Sequence, residues 1–405
     1  MCNTYKLRCI TCGKLFEPSP TLYTCDKCGP RYGTIEVVYD YDKIKLKKSQ
    51  FNKCGDISQF KAILPIKEYP IRQKVGNTPL LSFKNFYGVK NVIFKYDGTN
   101  PTGSYKDRAT AIAISKAYEY NFDTIYCAST GNAASSLAGL TTTTKLKTFI
   151  FVPSNIPIAK LAQLVVYGAN ILKIDGNYDT AFDISMKIGS KLNWYSRNSA
   201  INPYLLEGKK TGAMELIVQL DFNVPDVVFV SVGDGTVISG IFKGFYDFYK
   251  LNLTNKIPKI IGVQAEGADA VAKTFEKGRP YTPFDIQPNT IADSISVGKP
   301  RDVIKACKYV EKSKGKFIRV SDIEIQKAIF ELAQKTGIFA EPAGATAFAG
   351  FKKALSQKFI SKNESIAIFI TGNGLKDVDP IKNNIKIKKI PPKLEEVLKY
   401  IEVIK

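Results

Sequence analysis

Short apolar runs rich in β-branched residues alternate with amphipathic stretches over most of the chain. The runs are VIFKY, TIYCA, KTFIFVP, NILKID, DVVFVSV, KIIGVQA and SIAIFIT, and the stretches include DRATAIAISKAYEY, IAKLAQLVVYGA, DTAFDISMKIGSKL and DIEIQKAIFELAQKTG. Strands and helices that alternate at this spacing are typical of parallel sheets with helices on both faces. Seven strands between residues 92 and 371 predict two α/β domains rather than one barrel.

The two ends of the chain have a different pattern. Residues 1–56 contain a polar, turn-rich segment and a short β-rich extension, IEVVYDYDKIKL. The tail, IKNNIKIKKIPPKLEEVLKYIEVIK, predicts a charged strand-like piece, a break at Pro-Pro and a final helix. No internal repeat is apparent.

The composition excludes several classes of protein. The chain has 405 residues, of which 44% are hydrophobic and 23% are charged, so it is neither disordered nor of low complexity. No apolar run approaches the roughly 18–20 residues that cross a bilayer. The first residues, MCNTYKLRCITCGK, lack the apolar core of a signal peptide. We therefore expect a cytoplasmic protein with no membrane partner.

Histidine is absent, and 58 Lys and Arg residues against 37 Asp and Glu residues give a net charge of +21. Without histidine, a Ser-His-Asp triad, a His-Cys protease and a zinc hydrolase with His ligands are excluded. The charge favours anionic partners, either nucleic acid or phosphorylated small molecules. Because the lysines are spread along the whole chain, a generally solvated basic surface is the simpler interpretation.

Four cysteines near the N-terminus have the spacing of a zinc site. Cys9, Cys12, Cys25 and Cys28 form C-x2-C-x12-C-x2-C. Each C-x2-C pair brings two thiolates to one side of a tight turn, and two pairs supply four sulfurs in tetrahedral geometry. Two disulfides would require an oxidising compartment, of which the sequence gives no sign. The spacing therefore predicts a structural zinc ribbon.

Four glycine-rich turns follow predicted strands, which is where α/β sheets bind ligands. In DGTNPTGSYKDR, Lys106 begins a predicted helix. The helix dipole there disfavours the ammonium form and suits a Schiff-base lysine, although an ordinary surface lysine would look the same. In the second turn, Ser129, Thr130, Gly131 and Asn132 precede a helix of small residues, and they form either an anion site or a plain helix cap.

The third and fourth turns predict a phosphate loop and a hydroxyl at the end of a strand. Residues 233–237, Gly-Asp-Gly-Thr-Val, lead into a helix and allow backbone amides to surround a phosphate. The segment matches neither G-x-G-x-x-G nor a P-loop, so it indicates a phosphate rather than a nucleotide. Thr371 begins TGNG after the last strand, a pattern that a tight turn would also give. Together the four turns suit an α/β pyridoxal-phosphate enzyme.

The segments around these turns resemble the threonine synthase family of fold-type II pyridoxal-phosphate enzymes. They are VGNTPLL, DGTNPTGSYKDR, ASTGN, NPYLLEGKKTGAMELIVQL, VSVGDGTVISGIFKGF, GVQAEGA, FAEPAGATA and TGNGLKD, in order from about residue 60 to residue 377. Some members of the family also carry a four-cysteine ribbon. The resemblance implies two doubly wound parallel-sheet domains of the tryptophan synthase β-like type, pyridoxal 5'-phosphate as cofactor, structural Zn2+ in the ribbon, and a homodimer.

The resemblance also implies domain boundaries. Residues 1–56 would form the ribbon and its β-rich extension. Residues 57–95 and 200–405 would form the large cofactor-binding domain, and residues 96–199 a smaller domain with the Schiff-base lysine and the carboxylate loop.

Site residues follow from the resemblance position by position. Lys106 would hold the cofactor, Asn132 would contact its 3-hydroxyl group, and Thr371 would face its pyridine nitrogen. The cofactor phosphate would be held by Gly233, Asp234, Gly235, Thr236 and Val237, the substrate carboxylate by Ser129, Thr130 and Gly131, and the substrate phosphate by Asn198 and Ser199, with Asn202 nearby.

The implied reaction converts O-phospho-L-homoserine and water into L-threonine and phosphate, by elimination at Cγ and addition of water at Cβ. The chain departs from the family at two positions. Many members have Thr where this chain has Ala133, and Arg where it has Leu205. Both missing groups would help to hold the substrate phosphate. We therefore expect another cation to replace them, Lys209 or Lys210 first and Arg108 as a further candidate.

The sequence leaves two other functions open. One is a related pyridoxal enzyme, either a serine/threonine ammonia-lyase or a β-replacing synthase that uses O-phosphoserine, because the two departures weaken the phosphate site. The other is a zinc-ribbon nucleic-acid-binding protein on an inactive enzyme core, and an intact Lys106 argues against it.

Overall fold

The computed structural model describes residues 5–154, 156, 158–384 and 387–404. Its strands are β1 Tyr5–Cys9, β2 Leu15–Phe16, β3 Ile35–Tyr39, β4 Leu80–Phe86, β5 Val89–Tyr96, β6 Thr124–Ala128, β7 Lys147–Pro153, β8 Asn170–Ile174, β9 Tyr195–Ser196, β10 Val227–Ser231, β11 Lys259–Ala265, β12 Lys316–Val320 and β13 Ser365–Ile370. Its helices are α1 Gly29–Tyr32, α2 Lys106–Glu119, α3 Asn132–Thr141, α4 Ile158–Val166, α5 Tyr178–Lys191, α6 Tyr204–Gln219, α7 Thr236–Lys250, α8 Ala270–Lys277, α9 Val303–Lys312, α10 Asp322–Thr336, α11 Pro342–Ser356 and α12 Leu394–Ile404.

The larger sheet has six strands in the order β12-β11-β10-β13-β5-β4. Neighbours are parallel from β12 to β5, and β4 pairs with β5 in the antiparallel direction at one edge. Every residue of β10, VVFVS, is buried, as a parallel strand with helices on both faces requires. Val228 and Val230 belong to the same core as α6 and α7, whereas Val227 and Phe229 belong to the core with α10 and α11.

The smaller sheet has four parallel strands in the order β8-β7-β6-β9. Its strand β6 is buried at every residue and leads directly into residues 129–131 and helix α3. Helix α3 is rich in small residues, which lets it pack closely. A Cβ atom at Gly139 would lie 2.5 Å from the Thr102 side chain. The C-terminal half of α3 therefore packs closely against the loop that precedes α2.

The N-terminal strands form a small antiparallel sheet in the order β2-β1-β3. Side chains such as Leu7 and Val37 join the same apolar core as α6 and α7. Polar contacts also connect this sheet to the helices: for example, Tyr39 donates to Glu207 at 2.6 Å and Lys305 donates to the Ile35 carbonyl at 3.0 Å. The N-terminal extension thus packs directly against α6 and α9.

The predicted fold class is confirmed, with two parallel sheets between helices and a small N-terminal sheet. The seven predicted strands and the four predicted helices are all present. Strands β1, β2, β4, β9 and β12 were not predicted, because β1, β4 and β12 contain charged residues and β2 and β9 have only two residues each. In the tail, Asp379–Asn384 is a 3-10 helix rather than a strand-like piece, residues 385 and 386 lie outside the described residues, and the final helix is α12. None of the described helices combines the length and the apolar character needed to cross a membrane.

Candidate active site

A cavity of about 620 Å³ lies between the two parallel sheets, at the carboxyl ends of their strands. It is the part of an α/β protein where ligands normally bind. Among the residues predicted for the site, those on its wall are Lys106, Ser129, Thr130, Gly131, Asn132, Ser199, Gly233, Asp234, Gly235, Val237 and Thr371. The four glycine-rich turns recognised in the sequence therefore meet at one place.

Three predicted site residues, Thr236, Asn198 and Asn202, are not among the residues on the wall. The Asn198 side-chain oxygen accepts a hydrogen bond from the Ala128 amide at 2.6 Å, and the Asn202 side chain donates to the Ser196 carbonyl at 2.7 Å. These bonds hold the segment 196–202 against the end of β6. The segment in turn places Ser199 on the wall.

Lys106, the first residue of α2, has a weakened preference for the ammonium form. Burial lowers the pKa of Lys106, while Asp234 and Glu341 oppose this change and Arg197 reinforces it. The Lys106 amine makes no hydrogen bond or ion pair within the described part of the chain. It is therefore available to a ligand in the cavity, and a neutral amine is a nucleophile.

Residues 233–237 form a loop that begins α7. Gly235 has a φ of +95°, which favours glycine, and a Cβ atom there would lie 2.8 Å from that of Ala306. Within the described chain, the backbone N–H groups of Gly233, Asp234 and Gly235 donate no hydrogen bond. The positive end of the helix dipole adds to these free donors. The loop has the donors that a phosphate needs.

Lys209 is a buried cation behind this phosphate loop. Its amine contacts the Thr236 hydroxyl. Burial lowers the pKa of Lys209 to about 7, although Asp234 opposes the change. In the described chain Lys209 pairs with no carboxylate, so an anion on the loop would supply the missing negative charge.

Glu341 is a wall residue that sequence reasoning missed. Both of its carboxylate oxygens accept hydrogen bonds from the Asn132 side-chain amide, each at 2.9 Å. Burial raises the pKa of Glu341, and the hydrogen bond from Asn132 opposes that shift. The acidic residue before Pro-Ala-Gly at a helix start was visible in the sequence. Its partner was not, because the two residues are 209 positions apart.

Two cations predicted to replace the missing phosphate contacts are engaged elsewhere. Lys210 pairs with Glu207 at 2.5 Å and with Asp247 at 2.6 Å, and Arg108 pairs with Glu215 at 2.9 Å. Both side chains are fully buried, and neither lies on the cavity wall. The prediction is wrong for these two residues, because buried carboxylates already neutralise their charges. Lys209, the third candidate, is not on the wall either, since its amine contacts Thr236 behind the loop 233–237.

The four N-terminal cysteines come together beside β1. The Sγ atoms of Cys9, Cys12, Cys25 and Cys28 all lie within 4.8 Å of one another, and none of the four forms a disulfide. Four sulfurs bound tetrahedrally to one zinc ion at its usual bond length would be about 3.8 Å apart. The donor set and its spacing therefore fit zinc, and the alternative of two disulfides is not what the structure contains.

Comparison with known sequences identifies a family. Residues 71–372 match the pyridoxal-phosphate dependent enzyme family. A threonine synthase of Methanocaldococcus jannaschii is 38% identical, with 97% of this chain and 98% of that protein covered. A threonine synthase of Methanosarcina acetivorans is 36% identical, with 92% of each chain covered.

Solved structures share the fold. The processed form of threonine deaminase isoform 2 from Solanum lycopersicum has a TM-score of 0.63 at 20% identity, covering 73% of this chain and 84% of that one. Maize serine racemase has a TM-score of 0.62 at 23% identity, covering 81% and 93%. At this identity the likeness concerns the fold alone.

Proposed function

Because the chain belongs to the pyridoxal-phosphate dependent enzymes, we propose that it is a lyase that acts as a threonine synthase. Its reaction converts O-phospho-L-homoserine and water into L-threonine and phosphate. The observation that carries the proposal is the meeting of Lys106, the phosphate loop and residues 129–132 in one cavity. The fold supports several reactions. We select this one because the sequence is 36–38% identical to two threonine synthases over almost the whole chain.

The residues around the cavity fit pyridoxal phosphate. Among the described residues the Lys106 amine has no partner, and the amides of Gly233, Asp234 and Gly235 donate to none, at the start of a helix. Lys209 supplies a positive charge behind that loop for the cofactor phosphate. Following the resemblance to the family, we assign Asn132 to the 3-hydroxyl group and Thr371 to the pyridine nitrogen, and both residues lie on the wall. When bound, the cofactor supplies the electron sink that stabilises negative charge on the substrate carbons.

The side chains of the protein bind the substrate and move its protons. Ser129, Thr130 and Gly131 precede α3, so their hydroxyls and amides are suited to the substrate carboxylate. Lys106 transfers protons among Cα, Cβ and Cγ of the substrate, and burial lowers its pKa, which favours the neutral amine that this task needs. No histidine is required, because a buried lysine performs the proton transfer.

The substrate phosphate belongs near Ser199 in this proposal. Ser199 lies on the wall, and the Asn198 and Asn202 side chains hold its segment in place. We assign Asn198 and Asn202 to this positioning role rather than to direct contact with the substrate.

For the N-terminal extension, we propose one structural zinc ion bound by Cys9, Cys12, Cys25 and Cys28. Their spacing in the sequence and the distances among their sulfurs support this site. The extension packs on α6 and α9 through Tyr39 and Lys305, so the metal stabilises a part of the fold rather than the reaction centre.

We also propose the domain limits and the assembly implied by the resemblance. The limits are 57–95 with 200–405 for the large domain and 96–199 for the small one, and each contains one of the parallel sheets. A homodimer in the cytoplasm rests on the resemblance to the family. Sedimentation of the purified chain tests the dimer.

A substrate panel tests the activity. The purified protein is supplied with pyridoxal phosphate and given O-phosphohomoserine, and threonine and phosphate are measured together. Equal amounts of the two products, absent in a Lys106→Ala control, support the proposal. If serine or threonine yields a 2-oxoacid and ammonia while O-phosphohomoserine is inert, the enzyme is an ammonia-lyase. Phosphate release from O-phosphoserine alone indicates a β-replacing synthase, and salt-dependent RNA or DNA binding without turnover indicates a nucleic-acid-binding protein.

A further inference from the structure

Arg197 is a buried cation beside the cavity that forms no ion pair with the described residues. Its side chain is fully buried. Its Nε donates to the Thr110 hydroxyl at 3.0 Å, and its Nη1 donates to the Ser199 hydroxyl at 3.1 Å. Its Nη2 has no hydrogen-bond partner among the described residues. A buried guanidinium in this condition costs free energy unless an anion balances its charge.

The other buried cations show how unusual this is. Six of them pair with carboxylates in the structure: Lys95 and Arg108 with Glu215, Lys116 with Glu119, Lys210 and Lys243 with Asp247, and Lys305 with Asp302. Within the described chain the exceptions are Lys209 and Arg197. Lys209 lies behind the loop that fits the cofactor phosphate. Arg197 is therefore the buried positive charge that remains to be explained.

The contact between Arg197 and Ser199 determines what the serine hydroxyl can do. Because the Ser199 oxygen accepts a hydrogen bond from the guanidinium, its own O–H is left to donate elsewhere. Ser199 lies on the cavity wall. A hydroxyl that is polarised by a charged donor is a strong donor to an anion.

Leu205 explains why this chain needs a phosphate contact such as the Ser199 hydroxyl polarised by Arg197. The family often has arginine there, but Leu205 is 1% exposed and lies in the apolar core of the small sheet. It can supply neither charge nor hydrogen bond to a phosphate. Arg197 lies in the same segment, eight positions earlier by residue number.

We propose that Arg197 acts through Ser199 to select a phosphorylated substrate, in place of the arginine that Leu205 has replaced. The inference rests on the proposed function and deepens it, because it names the group that recognises the substrate phosphate. Arg197 is a positioning residue, since Ser199 makes the contact with the ligand.

Arg301 is the competing cation and serves as the matched control. It lies on the cavity wall, but its guanidinium is 3.7 Å from Asp179 and 3.9 Å from the centre of the Phe182 ring. Its side chain is 26% exposed, so solvent screens its charge. Arg301 already has partners, whereas Arg197 forms no ion pair in the part of the chain that the structure describes.

The experiment compares two ligands that differ only in the phosphate. Binding of O-phosphohomoserine and L-homoserine to the cofactor-loaded, full-length enzyme is followed by the change in cofactor absorbance. Inhibition by inorganic phosphate is measured in parallel, and cofactor content is measured for each variant. Arg197→Met should weaken the binding of O-phosphohomoserine and of inorganic phosphate by about tenfold or more. The binding of homoserine should change little. Arg197→Lys should restore part of the loss, and Arg301→Gln should keep the ratio of the two affinities near that of the parent.

Ser199→Ala tests whether Arg197 acts on the ligand through the Ser199 hydroxyl. It also keeps the proposal testable if Arg197→Met fails to fold. If Arg197 acts through Ser199, then Ser199→Ala reduces selectivity for the phosphorylated ligand, and adding Arg197→Lys reduces it little further. Equal losses for both ligands, or a loss of selectivity in Arg301→Gln instead, would overturn the inference. A parent enzyme that binds phosphate at Arg197 yet forms no threonine would contradict only the proposed function.

Discussion

Lys106 and Lys209 show how burial changes the chemistry of single residues. Both are lysines whose pKa is lowered by desolvation, and Asp234 opposes the shift in each case. They differ in their surroundings, since Lys106 opens onto the cavity and Lys209 contacts Thr236 behind the phosphate loop. The first is therefore suited to reaction and the second to holding an anion.

Borohydride reduction of the cofactor-loaded protein should attach the cofactor to Lys106. The reason is that its amine has no other partner in the described chain, and that burial lowers its pKa and so favours the neutral, nucleophilic form. Peptide mapping by mass spectrometry identifies the labelled lysine. Lys106→Ala should abolish turnover while the protein still binds the cofactor through loop 233–237. A label on Lys209 or any other lysine would contradict the site assignment.

Lys209→Met should weaken cofactor binding by about tenfold or more, because a charge-assisted contact with the phosphate is lost. Equilibrium titration of the apoprotein measures the effect. The same change should not destabilise the apoprotein below pH 7. In that range the folded state carries the protonated amine without a carboxylate partner, and the resulting penalty fades as pH rises from about 7 towards the pKa of a free lysine.

Lys210→Met is the control for Lys209→Met, since it replaces the neighbouring buried lysine in the same way. Lys210 is paired with Asp247 at 2.6 Å, so its loss leaves a buried carboxylate without a partner. It should lower the melting temperature more than Lys209→Met does. If both variants lose stability equally and keep their cofactor affinity, Lys209 has only a structural role.

At the scale of elements, the N-terminal sheet depends on its cysteines. We expect one zinc ion per chain, measured by elemental analysis, and faster hydrogen exchange in β1 and β3 after chelation, because structural zinc contributes folding free energy to its own module. Cys25→Ser should have the same effect on exchange. Residual activity should persist, since the cysteines are not on the cavity wall. A protein without zinc, or an inactive Cys25→Ser variant with unchanged exchange, would contradict a structural site.

Helix α10 begins with a capping box formed by residues that are close in sequence. Ser321 accepts a hydrogen bond from the Glu324 amide at 3.2 Å, and the Glu324 carboxylate accepts one from the Ser321 amide at 2.7 Å. Ser321→Ala should therefore reduce the free energy of unfolding by about 1 kcal/mol, measured by urea denaturation. Ser356→Ala, at the exposed end of α11, should change it by less than about 0.5 kcal/mol.

At the scale of the whole molecule, Glu215 ties together parts of the chain that are far apart in sequence. Its carboxylate on α6 meets Lys95 of β5 at 2.5 Å and Arg108 of α2 at 2.9 Å, and all three side chains are buried. Burial alone would raise the pKa of Glu215, but Arg108 and Lys95 outweigh it and hold the pKa well below its usual range. The network joins the large sheet to the helix that carries the candidate Schiff-base lysine.

Glu215→Gln should reduce the free energy of unfolding by about 3 kcal/mol, because it leaves the buried Lys95 without a carboxylate partner and leaves Arg108 with Asp97 alone. The direction in which stability changes with pH follows from the lowered pKa of Glu215. The carboxylate contributes stability above the pKa of an unfolded glutamate, near 4, and the contribution is lost as pH falls further. Urea denaturation at several pH values should show a weaker acid dependence in Glu215→Gln than in the parent. Glu395 is exposed, so Glu395→Gln should leave both the free energy of unfolding and its dependence on acid pH unchanged.

Much of the fold and part of the candidate site were readable from the sequence. Buried parallel strands such as β6 and β10 appear as continuous apolar runs, and the turns that follow them carry the glycines and hydroxyls that now line one cavity. Strand β12, KFIRV, was missed because its charged residues break that pattern. The cysteine spacing likewise required only local turns to bring the sulfurs together.

Which partner each charged side chain meets was decided by the tertiary structure alone. By sequence, Lys210, Arg108 and Arg197 are equivalent basic residues. In the described chain, however, the first two pair with buried carboxylates and the third pairs with none. Glu341 and Asn132 are likewise brought together from 209 positions apart. Local patterns determine strands, helices and turns because these depend on neighbours in the chain. The charge balance of a buried site depends instead on how distant elements pack, since in the absence of water each charge is stabilised by whatever the fold places beside it.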